Sequence, residues 1–286
     1  MGSNRGRPTF PRFWERSPDS ARSLTSQVGA GSTVGLHRVF PWLHNRQARP
    51  SAARRSLMQV RPRALVSWSS GKDSAFALHL VRQSQELEIV GLLTTVSSAF
   101  GRVAMHGVRE SLLDAQAEAL RLQCLKVLIP WPCSNAIYEA QLSKALQQAR
   151  AERVTHVVFG DLFLADLRAY REAQLAALGL TPVFPLWQRD TSELAHEMIA
   201  AGLRATLTCI DPKKLPPSFV GRTFDERLLA DLPEGIDPCG ENGEFHTFAS
   251  AGPMFDHPIE VEPGETVARD GFFFADLLPK GAQRSG

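Results

Sequence analysis

Cysteine is scarce in this sequence, no long apolar run occurs, and the first fifth of the chain contains no lysine and almost no acid. Each shortage excludes something. The four cysteines, Cys124, Cys133, Cys209 and Cys239, form no C-x-x-C pair, which removes zinc ribbons, zinc fingers and thioredoxin-type redox motifs. A chain of 286 residues can bury a core without disulfide staples, so sparse cysteine argues for a reducing, cytoplasmic setting. No apolar run approaches the roughly 18 residues of a membrane-spanning helix, and no membrane partner is expected. Residues 1–57 hold ten arginines against two acids, Glu15 and Asp19. The remainder carries 22 basic and 28 acidic residues, a net of −6. That mild acidity argues against a general nucleic-acid surface.

Residues 1–57 sustain no apolar period of 2 or 3.6 and are rich in Arg, Ser, Gly and Pro, the composition of a disordered basic leader. A transit peptide, a basic tail, and translated upstream sequence with Met58 as the true start all fit. A secretory leader does not, because no apolar core of about 7–15 residues follows the first arginines.

From Ala64 the pattern changes. Short apolar runs at 64–68, 89–96, 125–129, 154–159, 183–186 and 205–210 read as strands. Between them lie helical stretches. In one, Val108, Leu112, Ala115, Ala119 and Leu122 recur at spacings of 4, 3, 4 and 3, a single helix face. Asp190 and Glu193 begin another as a capping box would, and Gly179 fits a C-terminal cap. Such alternation builds βαβ units, and the fold class is α/β, a parallel sheet with helices on both faces. Ligands of such sheets bind beyond the carboxyl ends of the strands. After Leu215 the alternation stops. The expected organisation is an α/β domain over 58–212 and a smaller C-terminal lobe over 213–286.

Four motifs carry chemistry. Ser69-Ser70-Gly71-Lys72-Asp73-Ser74 lies between a strand and a helix, where small residues free backbone N–H groups to face an anion at a helix N-terminus. Lys72 can add a point charge and Asp73 can hold Mg²⁺. It is not a Walker A loop, because position 66 is Val and Asp follows Gly71-Lys72. The plain alternative is an N-capped helix after an ordinary turn. The second motif runs from Asp237 to Thr247. In it Glu241 and Glu244 could bind an ammonium ion, deprotonate it or hold a metal, and Asn242 could orient an amide or carboxylate. A solvated loop with an Asn242-Gly243 hairpin turn is the alternative. The third is Met105-His106-Gly107-Val108-Arg109, where His106 could contact phosphate or act as acid or base. The fourth is Gly160-Asp161, followed by Arg168, Arg171 and Glu172. These arginines could clamp a pyrophosphate or a carboxylate. Arg168 and Glu172, four apart, could equally form an intrahelical ion pair.

Taken together these residues resemble the diphthine–ammonia ligase (diphthamide synthetase) family, a branch of the PP-loop, adenine nucleotide alpha hydrolase-like ATP pyrophosphatases. The resemblance rests on residues 68–74, 105–109 and 160–161, on Pro185-Leu186-Trp187, on 237–248 and on Gly252-Pro253-Met254-Phe255, in family order. It implies about five parallel strands and Mg-ATP cleaved between its α- and β-phosphates. Two positions depart from the pattern. Ser70 stands where S-G-G-x-D-S has its first Gly. Asn242 and His246 stand where E-G-G-E-[FY]-E-[ST] has Gly and Glu, which leaves the acyl acceptor open.

The resemblance implies an AMP-forming carboxylate–ammonia ligase. Attack on the α-phosphate makes an acyl-adenylate and releases pyrophosphate, and ammonia or an amine displaces AMP. Backbone donors from Ser70 through Ser74 would hold pyrophosphate, with Ser69 beside them and Asp73 on Mg²⁺. Thr95, Met105 and His106 would lie near the nucleotide. Asp161, Arg168 and Glu172 would face the crevice, and Glu241, Asn242, Glu244 and His246 the acceptor or the ammonia. The acceptor is a small-molecule or protein-borne carboxylate. The rival is a regulator of the same broad superfamily that binds adenine nucleotide without adenylating anything, as the universal-stress branch does.

Overall fold

The computed structural model describes residues 60–281. The leader at 1–57 and Met58 lie outside the described residues. From Arg61 onward the described residues group as one compact unit, which builds two sheets.

The elements follow the apolar runs closely. They are β1 (Arg63–Ser67), α1 (Lys72–Ser84), β2 (Glu88–Ser97), a short β3 (Arg102–Val103), α2 (Glu110–Ala119), β4 (Cys124–Ile129), α3 (Asn135–Ala151), β5 (Val154–Val158), α4 (Ala165–Ala176), β6 (Thr181–Val183) and α5 (Thr191–Ala200). After them come β7 (Arg204–Ile210), α6 (Glu226–Asp231), β8 (Phe245–Ala251), β9 (Val261–Arg269) and β10 (Phe272–Pro279). Helix ends obey local chemistry. The Asp190 carboxylate accepts the Glu193 N–H at 2.9 Å and caps α5, a bond of the kind worth about 1 kcal/mol. Gly179 takes φ +64 after α4, in the left-handed region where a glycine carries no Cβ penalty.

The first sheet has five parallel strands in the order β4-β2-β1-β5-β6, with β3 antiparallel against the end of β2. Side chains alternate across it. Ala64, Val66, Leu92 and Val96 join one apolar cluster, while Leu65, Leu93, Val127 and Ile129 join another on the opposite face. The sheet is therefore buried on both sides, as parallel sheets are. The chain first winds outward through β2 and β4, then returns to β5 on the other flank of β1. That reversal opens a crevice between the carboxyl ends of β1 and β5.

The second sheet is antiparallel in the order β8-β7-β10-β9. The run at 205–210, expected as a strand of the parallel sheet, instead pairs with β8 and β10. An apolar run states that a strand is buried and does not state its neighbours. The strands β8 to β10, read only as a lobe lacking alternation, supply those neighbours. Ala205, Leu207, Phe245 and Phe248 of this sheet share a cluster with Phe76 and Leu112 of α1 and α2. The second sheet thus rests on the helices that follow β1 and β3 and carries the 237–247 loop to the crevice. Among the described residues no helix is long and apolar enough to cross a membrane.

Candidate active site

The loop 69–74 turns from β1 into α1. Ser70 sits at φ +69, the left-handed value for which a glycine is the unstrained choice, and it is fully buried. Its carbonyl accepts the Ala249 N–H at 2.9 Å and the Gln116 side-chain amide at 3.1 Å. Its own hydroxyl has no partner among the described residues. Ser69 and Ser74 share a hydroxyl contact at 3.1 Å, and Ser74 Oγ donates to the Gly71 carbonyl at 3.0 Å. The end of β5 presses on the same turn. A Cβ at Gly160 would lie 2.8 Å from backbone atoms of Asp73 and Ser74, so only glycine fits.

The 237–247 loop is fastened to this turn. Thr247 Oγ1 accepts the Lys72 N–H at 3.1 Å. Lys72 Nζ is fully buried, lies over the Phe224 and Phe245 rings at 5.5 and 5.6 Å, and donates to the Cys239 carbonyl at 2.5 Å. It also pairs with both Asp73 oxygens, at 2.7 and 2.9 Å. Burial lowers the Lys72 pKa, but Asp73 and its neighbours outweigh this and leave it raised. Lys72 is therefore a cationic peg between two loops.

The two loops wall a cavity of about 570 Å³ at the β1/β5 crevice. Ser69, Lys72, Asp73, Ser74, Met105, His106, Asp161, Glu241, Asn242 and His246 all line it. A smaller cavity of about 150 Å³ opens beside it, lined by Thr95, Ala104 and Tyr138. Ser67, Ser69, Met105, His106, Phe159 and Arg171 border both. Of the residues expected at the site, Ser70, Gly71, Arg168, Glu172 and Glu244 are absent from both walls. Ser70 and Gly71 shape the turn from behind. Arg168 Nε donates to Glu172 at 2.7 Å, and its guanidinium covers Phe184 and Trp187, so the intrahelical ion pair is the arrangement found. Glu244 is buried; one oxygen accepts the Asn242 amide at 3.2 Å and the other has no partner among the described residues. Asn242-Gly243 does form a turn, with Gly243 at φ +80, but it leads into β8 and joins no hairpin.

Arg171 takes the place expected of Arg168. It pairs ionically with Asp161 at 2.6 Å, donates a hydrogen bond to it from Nη2 at 3.1 Å, and lies 4.4 Å over the Phe159 ring. The missed signal was helical phase. Leu164, Leu167 and Arg171 stand at i, i+3 and i+7, and all three line the cavity. Asp211 and Lys214, just beyond β7, line it too, and Lys214 Nζ donates to the Asn242 carbonyl at 2.6 Å.

Burial governs the electrostatics. Glu241 is pushed up to about 8 by burial first, then by the charges of Asp73 and Asp161, while the Leu162 N–H, donated at 2.8 Å, opposes the rise. Asp73 is raised by burial, against the pull of Lys72. The His106 and His246 rings stand 4.5 Å apart. Burial lowers His246 to about 4, and burial with the neighbouring His246 holds His106 well below the imidazole range. The lowered pKa values favour the neutral rings, each of which offers one nitrogen as a hydrogen-bond acceptor. Asp73 keeps lone pairs free of Lys72 and faces the cavity, which fits a hard divalent cation. Among the described residues no three His, Cys, Asp or Glu are spaced to hold a metal by themselves.

Family models match both halves of the folded region. Residues 62–181 match the diphthamide synthase N-terminal domain, and residues 190–275 the diphthamide synthase C-terminal domain. The chain is also similar to the diphthine–ammonia ligase of Bos taurus, 31% identical over 239 residues that cover 76% of this chain and 89% of the relative. The chain belongs to the diphthine–ammonia ligase family. The enzyme of that name from Danio rerio is 34% identical over 142 residues, covering 48% of this chain and 56% of the relative. The Homo sapiens enzyme is 35% identical over 120 residues, covering 40% and 45%. The chain thus spans about half the length of these two relatives. The junction between the two family domains falls before α5, which agrees with β7 pairing into the second sheet.

Proposed function

We propose that this chain is an ATP-dependent, AMP-forming ligase that adenylates a carboxylate and transfers ammonia to it, acting on diphthine or a carboxylate like it. The observation that carries this reading is the peg of Lys72, which holds a phosphate-binding turn and a carboxylate-bearing loop on one cavity. A nucleotide sensor needs only the first of these.

The residues divide the work. The small cavity beside Thr95, Ala104 and Met105 suits the adenosine, and the N-terminus of α1 suits the phosphates, where unpaired N–H groups and the helix dipole favour anions. Lys72 N–H is already used by Thr247, so the donors available are those further into the first turn. Asp73, with Asp161 near it, would hold Mg²⁺. The ion would neutralise phosphate charge and so ease departure of pyrophosphate. Arg171, fixed by Asp161, offers guanidinium edges at the junction of the two cavities, suited to the carboxylate or the α-phosphate.

Glu241 suits the second half-reaction. Ammonium, with a solution pKa of about 9, must lose a proton before it attacks, and a carboxylate near 4.5 is a poor match. At about 8, Glu241 is close to matched. The neutral His106–His246 pair adds acceptor capacity on the same wall. The acceptor end differs from the family pattern at Asn242 and His246, and its chemistry follows from those two side chains.

The test is ATP–pyrophosphate exchange with diphthine and with a panel of other carboxylic acids, followed by amide formation on adding ammonium. The expected products are AMP, pyrophosphate and amide. Formation of ADP, or nucleotide binding with no exchange on any carboxylate, would overturn the reading, and the latter outcome would favour the sensor.

A further inference from the structure

The four-residue loop 104–107, between β3 and α2, carries Met105 and His106, which border both cavities. It holds an unfavourable shape. Met105 is at φ +65, and Gly107 follows at +69. A left-handed non-glycine residue is strained, and it persists only where the surroundings impose it. Within the loop the Val103 and Val108 backbones close a short bridge, and the Gly107 N–H returns to the Val103 carbonyl.

The imposing element is β10, more than 160 residues away in the second sheet. Asp276 Oδ1 accepts from Arg102 Nη1 at 2.8 Å and from Arg109 Nε at 3.0 Å, and Oδ2 accepts from Arg109 Nη2 at 2.5 Å. The two arginines flank the loop and face each other as an antiparallel bridge. Arg102 Nη1 also donates to the Gly107 carbonyl at 2.6 Å. Phe274 lies two residues before Asp276, on the same face of β10, and its ring would stand 3.0 Å from a Cβ at Gly107. Burial alone would raise the Asp276 carboxyl, but hydrogen bonds from Arg109 and Arg102 outweigh it and hold it below the ordinary range. The cluster is a charge-assisted clamp, most of it shielded from solvent, with Asp276 16% exposed.

We propose that Asp276 is a positioning residue for the nucleotide half of the site: through Arg102 and Arg109 it imposes the backbone of the 104–107 loop that brings Met105 and His106 to the wall between the two cavities. This rests on the reading that the smaller cavity takes adenosine. Asp276 touches no reacting group, and its influence is on ground-state nucleotide binding. A KM effect with little kcat effect is the consequence.

The experiment compares full-length wild type, Asp276→Ala and Asp276→Asn by ATP titration calorimetry, amide hydrogen exchange and steady-state kinetics. In Asp276→Ala the amides of 103–108 should exchange at least about tenfold faster while those of β7 and β8 stay protected, and ATP should bind about tenfold more weakly. KM for ATP should rise by a similar factor, with kcat at saturation within about threefold. Asp276→Asn, which keeps one acceptor oxygen, should recover part of each loss. Unchanged exchange and ATP affinity in folded Asp276→Ala would overturn the proposal, and so would faster exchange spread evenly over the second sheet. Should that variant fail to fold, Arg109→Gln, at a side chain 40% exposed, makes the same comparison. A wild-type protein that binds no ATP would refute the proposed function, while local loosening of 103–108 in the variant would still support the clamp.

Discussion

The 69–74 loop is built from small residues that bond mostly to one another, whereas the 237–247 loop holds its place through side chains that reach into its neighbour. In the first, Ser69, Gly71 and Ser74 close on themselves, and Gly160 leaves no room for any atom beyond hydrogen. In the second, Thr247 reaches Lys72 and Glu241 reaches the Leu162 N–H. One loop is fixed by steric fit and the other by polar pairing. Fit tolerates almost no change of volume, and polar pairing responds to pH and to changes of charge. The two loops should therefore fail differently.

The largest effect is expected where fit is tightest. Gly160→Ala drives a methyl into the Asp73–Ser74 backbone and should displace the N-terminus of α1, lowering ATP affinity roughly 100-fold, measured by calorimetry. Affinity within threefold of wild type would show that the turn can yield. Next comes the polar loop. Glu241→Gln should leave ATP binding and pyrophosphate exchange nearly intact while amide formation falls roughly 10²-fold. The same variant has a pH signature. A carboxyl raised from 4.5 to about 8 means that the folded protein keeps a proton the unfolded chain has released, so stability falls as pH rises through that window and levels off above it. Glu241→Gln should melt higher than wild type at pH 8.5 and nearly level with it at pH 4.5. A difference independent of pH would contradict the raised pKa.

A smaller change tests the histidine wall. His246→Glu places a carboxylate where a neutral ring now lies 4.5 Å from His106. The His106 pKa, followed by NMR, should rise by at least about one unit, with ATP affinity altered by less than about threefold. No rise would mean that the two rings do not share one electrostatic environment. The smallest effect is expected at Ser70. Glycine there removes a left-handed Cβ and a buried hydroxyl without a partner, and Ser70→Gly should stabilise the fold by about 1 kcal/mol in urea titration. Destabilisation would indicate that the hydroxyl has a partner in solution.

The parallel sheet could be read from the sequence because buried strands and amphipathic helices leave distinct periods. The run at 89–96 and the 4, 3, 4, 3 spacing from Val108 to Leu122 identify β2 and α2 with little ambiguity. The second sheet could not be read in this way. Seven of the nine residues of β9 are exposed, so its sequence carries no buried face to detect, and the pairing of β7 depends on strands 35 or more positions further on. The site was legible in its loops and not in its helix. Motif residues fall where backbone geometry demands them, while the choice of Arg171 over Arg168 depends on which side of α4 meets the crevice. Asp276 carried no motif at all. Its role exists only because β10 crosses the 104–107 loop.

Lys72 also bears on how the protein is made. It leaves the ribosome 167 residues before the carbonyl of Cys239 that receives its ammonium, and Gln116 emerges 133 residues before Ala249, whose carbonyl shares its amide. A nascent chain that has completed the parallel sheet therefore holds a lysine paired with Asp73 alone and a glutamine whose amide still lacks the Ala249 carbonyl. The nucleotide site comes into being only when β8 arrives, so an N-terminal fragment should be translated without acquiring a working phosphate turn. The parallel sheet and the working site are separated by the stretch between Val183 and Phe245.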